Sequence, residues 1–233
     1  MSPPTAPAVP RLALLSLGVI FTAPAALNAQ RQPNPSAATV AVIERIAATQ
    51  TVGRYSHSTR VDPASGRYEW DCSAMAAWVL RQSAPGALAS LHSGRPLAVD
   101  FYRAIARAPA LGQGGAAGPW RRVPRLSEAQ PGDVLAWPRP RWFPSRNTGH
   151  VAFVMAAPTA VAGGVLLRIA DATSLPHASD ARTASGATGF GQGVLRVDTD
   201  PATGAGIAYG WIGDETPREW MIATPVVIGR ALR

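Results

Sequence analysis

Lysine is missing from this chain and cysteine nearly so: of 233 residues, all 22 basic side chains are arginine, and Cys72 is the single cysteine. One cysteine excludes an internal disulfide, so the fold must stand on its core alone. No Cys/His cluster has the spacing of a zinc site, and HExxH, EF-hand, Walker and GxGxxG patterns are absent. Neither a metal nor a cofactor is therefore expected. The net charge is +8, yet the arginines are scattered, with Arg121 and Arg122 the one adjacent pair. There is no basic stripe with interleaved aromatics, so nucleic acid is excluded as a partner. A mild attraction to anionic surfaces such as a cell wall is what remains.

Long apolar runs are lacking too. Residues 12–26 are apolar behind Arg11 but too short and interrupted for a membrane span of ~20 residues. With the small-residue site at 27–29 they read as a signal peptide over 1–29. Export to the periplasm or the medium follows, without stable membrane insertion. Residues 30–36 read as a loose leader. The remaining chain, 37–233, is long enough for one domain with its own core.

What is present centres on Cys72. Residues 74–80 are apolar on every side, the mark of a buried helix. Asp71 is placed to cap it, which puts Cys72 in the first turn, where the dipole and free N–H groups favour a thiolate. The alternative is an inert, small buried side chain. Polar neighbours Asp71 and Ser73 suit a cleft better than a core.

The surrounding pattern predicts a helix over 37–49 capped by Ser36, with Val40, Ile43, Ile46 and Ala47 as its apolar stripe. A loop over 51–67 leads to the Cys72 helix, which ends near Ser83, and a third helix spans 96–107. From Leu126 the period changes to that of strands: 133–137, 150–156, 165–170, a hairpin of 194–198 with 207–211, and 221–228. Helices first and antiparallel strands after give an α+β class. His150 opens one of these strands, where an imidazole can reach a helix start on the same sheet and take the thiol proton.

Trp70-Asp71-Cys72-Ser73, Pro131-Gly132-Asp133 and Gly149-His150-Val151, in that order, resemble the motifs of NlpC-like peptidases and the related CHAP amidases. The resemblance covers roughly residues 37–175. One departure is Ala74, where the family has glycine. It implies a papain-like fold, with N-terminal helices and the Cys-bearing helix packed on an antiparallel sheet. It implies hydrolysis of amide bonds in peptidoglycan stem peptides, with Cys72 as nucleophile and His150 as general base. It also implies a polar residue on the following strand to orient the ring, a place Asp171 fills. His177 is the rival for that role, and Asp171 can instead cap a turn with Thr173 and Ser174. Tyr55 stands where the family has a cleft tyrosine near the oxyanion site. Two other readings stay open on the same scaffold: an inactive wall-binding or structural domain, and an acyl or amide transferase. Oligomeric state is not legible.

Overall fold

The strand pattern comes out longer and more closed than the sequence suggests. In the computed structural model, which describes Met1 and residues 35–232 apart from 92, 114–117 and 185, the order begins with α1 (Pro35–Thr49), β1 (Val52–Tyr55), β2 (Arg60–Asp62) and β3 (Arg67–Trp70). Helices α2 (Cys72–Ser83), α3 (Pro85–Ala89) and α4 (Ala98–Arg107) follow. Then come β4 (Trp120–Val123), β5 (Val134–Pro138), β6 (Gly149–Val154), β7 (Thr159–Val161) and β8 (Gly164–Thr173). The last strands are β9 (Gly189–Thr199), β10 (Gly206–Gly210) and β11 (Ile222–Ala231). The signal-peptide region and His92 lie outside the described residues.

Neighbouring strands run β10-β9-β8-β6-β5-β11, and β10 also pairs with β11. Six antiparallel strands thereby close into a barrel, with β4 added beside β11 and β7 beside β8. The closing pairs are Gly206 with Val226, Ala208 with Ala223 and Tyr209 with Ile222. This overturns the papain-like α+β expectation. The sheet is closed rather than an open platform under N-terminal helices, and the described helices are four short segments. The physical reason is edge satisfaction. β11 offers one edge to β5, and divides the other between β10 in its first half and β4 in its second. Among the described residues, this sheet keeps no long edge to template association.

Alternation along the strands builds two cores. Leu135, Ala152, Val154, Leu167, Ile169 and Leu195 fill the barrel. The opposite faces, with Val134, Ala136, Val151 and Phe153, pack against α1, α2 and α4. α1 buries Thr39, Val42, Ile43 and Ile46, so Val40 and Ala47 of the expected stripe fall off the buried face. Ser36 is inside its first turn rather than before it. The stretch expected to be a loop, 51–67, carries β1 and β2, which flank β3 in a separate three-stranded sheet.

Pro131-Gly132-Asp133 is a structural tie. Gly132 has φ +89°, and a Cβ there would stand 2.7 Å from the Ser36 Cα. The fully buried Asp133 accepts two bonds from Arg230, at 2.8 and 2.9 Å, linking the start of β5 to β11. Arg230→Ala leaves that buried carboxylate without its cation, with only the Gln130 N–H at 2.8 Å, and is expected to cost about 3 kcal/mol, or about 10 °C in melting temperature. A melt within a degree of the natural chain would contradict this role.

Candidate active site

The site is assembled at one end of the barrel, where β5 and β8 end and β6 and β11 begin. Asp71 follows β3 in extended conformation and caps α2: its Oδ1 accepts from the Ala74 N–H and the Ser73 hydroxyl, both at 2.8 Å. Its Oδ2 lies 3.3 Å from both His57 Nδ1 and an Arg95 guanidinium nitrogen. Burial works against the charge, but these bonds and the Arg95 charge hold the carboxyl below its ordinary value. Cys72 is then the first residue of α2, 6% exposed and lining a cavity of about 300 Å³ with Arg95 and Arg146.

β6 delivers the imidazole. Gly149 has φ +149°, and a side chain there would run into the Trp137 carbonyl, so β6 crosses β5 closely enough to set Trp137 opposite His150. The two rings are 5.0 Å apart, and Trp211 meets the His150 ring edge-on at 5.3 Å. His150 Nε2 lies 2.7 Å from Asp171 Oδ2. The carboxylate holds Nε2, so Nδ1 is the ring nitrogen that remains for a second partner. Burial alone would push the imidazole down. The Cys72 charge, the bond to Asp171 and the Asp171 charge outweigh it and raise it to about 10.

Asp171 sits in β8, fully buried. All its acceptor capacity is used: Arg182 donates twice to Oδ1 at 3.1 Å, while His150 and His177 hold Oδ2 at 2.7 and 2.9 Å. Burial disfavours the charge, yet His177 and His150 pull the carboxyl far below the ordinary range. The turn reading of Asp171 is not what forms; Thr173 itself accepts from the Leu175 N–H. His177 Nδ1 is 3.0 Å from the Trp211 carbonyl, so both of its ring nitrogens have an oxygen within hydrogen-bond distance. Asp180 grips Arg182 from the other side at 2.7 Å. Sequence reasoning missed Asp180 and Arg182. The signal was there, as opposite charges two apart in a segment of otherwise small residues.

Tyr55 is carried by β1, whose parallel pairing with β3 sets it beside Trp70. It is half-buried and lines the Cys72 cavity. Burial first, then the charges of Cys72, Asp71 and Asp171, push the phenol up, so it stays a donor. The sequence-predicted residues Tyr55, Cys72, His150, Asp171 and His177 are thus brought to one place. So is His57, which sequence left without a role.

No family model, curated protein or solved structure matches the chain.

Among the described residues, no group of three or more His, Cys, Asp or Glu side chains is placed to hold a metal ion. Nor, among them, is any helix long and apolar enough to cross a membrane. A sulfur at a helix start, an imidazole within reach of it and a saturated carboxylate behind the ring can move a proton and hold the resulting charge pair.

Proposed function

We propose that the chain is a thiol hydrolase of amide bonds, with cell-wall stem peptides as its substrate class and an exported setting. The observation that carries the reading is the 2.7 Å bond between His150 and the buried Asp171, with the Cys72 charge acting on the same ring, beside a cavity that Cys72 lines. In this reading Nδ1 of His150 takes the thiol proton, and the sulfur attacks the amide carbon. The imidazolium then gives its proton to the departing nitrogen as the C–N bond breaks. Water attacks the thioester with the same imidazole as base, releasing the acid. The Cys72 N–H and the Tyr55 hydroxyl are the donors nearest the developing oxyanion. Asp171 keeps the ring oriented throughout, and no residue outside the chain is required for these proton transfers.

The test is hydrolysis of defined stem peptides followed by mass spectrometry, beside iodoacetamide labelling of Cys72. Labelling should abolish hydrolysis, and His150→Ala should slow labelling at neutral pH by about tenfold or more. No cleavage of any amide, together with equal labelling of the two chains, would replace the enzyme by a non-catalytic domain.

A further inference from the structure

The aromatic cavity beside His150 is larger than the Cys72 cavity, at about 360 Å³, and Cys72 does not line it. Its inner wall is Trp137, Tyr209 and Trp211, with ring centroids 4.5–6.5 Å apart. Trp137 and Tyr209 are fixed on barrel strands, so the wall is preformed. At its mouth stand Leu175 and Trp220, 60% and 63% exposed. Large apolar side chains gathered at a cavity mouth mark a binding surface rather than a solvated one. Tyr55, Asn147 and Gly149 line both cavities, so the two meet at the Cys72–His150 pair.

We infer that the aromatic cavity seats the departing half of the substrate and that this half carries an apolar group of leucine or tryptophan size. The inference rests on the thiol-hydrolase reading and sharpens its substrate class. In that reaction the carbonyl carbon bonds to sulfur, while the departing nitrogen must lie where the imidazole can protonate it. The acyl half therefore goes to the cavity that Cys72 lines, where Arg95 and Arg146 favour an acidic group. The departing half goes to the cavity that His150 lines, whose walls offer apolar contact.

The reverse of the first step gives a direct measure. An acetyl thioester formed on Cys72 from 4-nitrophenyl acetate, with loss of 4-nitrophenolate, is resolved either by water or by an added amine. Amine attack forms the C–N bond, breaks the C–S bond and passes the amine proton through His150 to sulfur. Glycinamide, leucinamide, tryptophanamide and lysinamide are offered in turn, and acetylated products are counted by mass spectrometry. Leucinamide and tryptophanamide should intercept the acetyl group about tenfold or more better than glycinamide, as burial of such a side chain implies. Lysinamide should gain nothing. Trp220→Ala and Leu175→Ser, both at exposed positions, should bring the ratio down toward one. Equal interception by all four amides, a preference for lysinamide, or an unchanged ratio in Trp220→Ala overturns the assignment alone. Absence of any acetyl-enzyme overturns the hydrolase reading and this assignment together.

Discussion

Cys72→Ser is expected to keep the fold and to lower amide turnover on the order of 10⁴-fold or more. Serine fits the site: the residue is the first of α2, capped by Asp71, and only 6% exposed. A hydroxyl is far harder to ionise there than a thiol, so the imidazole has no anion to pair with. A second readout follows from His150. Its pKa is raised to about 10 against the pull of burial, with the Cys72 charge foremost among the opposing causes. In the serine variant that cause is gone, and the ring should titrate at lower pH. The sign for stability follows. A folded-state value above the ordinary histidine value of ~6.5 contributes stability that is full below ~6.5. It is lost as pH rises through about 10 in the natural chain. The variant should lose it earlier. Urea midpoints from pH 6 to 10 and ring resonances of His150 report both. Turnover near that of the natural chain, or superimposable titrations, would sink the pairing.

Legibility in the sequence divides by range. α2 was readable because its apolar run and Asp71 cap are contiguous. The β9–β10 hairpin was readable from the apolar pattern on either side of Asp200 to Gly206. Barrel closure was not, since Gly206 with Val226 and Tyr209 with Ile222 are non-local pairings that leave no periodic trace. The same strands would alternate alike in an open sheet. The small sheet was hidden by its length: strands of four, three and four residues are too short to show a period in a stretch rich in Gly, Ser and Pro. Arg182 escaped for a different reason. A buried ion pair is specified by geometry, and β9 starts at Gly189, inside what composition reads as loop. The aromatic cavity was invisible because Trp137 lies about seventy residues before Tyr209 and Trp211 in the chain.

Asp171 is expected to matter for the fold as much as for the chemistry, which sets it apart from an ordinary orienting group. Its carboxylate is wholly buried and answers Arg182, whose side chain is 4% exposed, as well as two imidazoles. Asp171→Ala takes one of two carboxylate partners from the buried Arg182, which keeps Asp180 and the Gly189 carbonyl, and leaves the His177 ring only the Trp211 carbonyl. Breaking such a pair costs about 3–5 kcal/mol, a large share of the roughly 5–15 kcal/mol that holds a domain together. The melt should fall by about 10 °C or more, and little active chain should be recovered. Asp171→Asn keeps the shape and one acceptor oxygen, so it should fold better while losing on the order of 10³–10⁴-fold in turnover through the wrong ring tautomer. His177→Ala should be milder in both respects, because Asp171 keeps Arg182 and His150. On the acid side the sign reverses from that of His150. A carboxyl lowered in the folded chain gives stability that is full above its ordinary value of ~3.9 and drains away as pH falls below it. Acid unfolding of the natural chain should therefore be steep below about pH 4 and flattened in Asp171→Asn. Thermal melts and urea midpoints from pH 2 to 7 check the ranking. If Asp171→Ala melts with the natural chain while His177→Ala collapses, the carboxylate is not the hub, and His177 must hold His150 by another route.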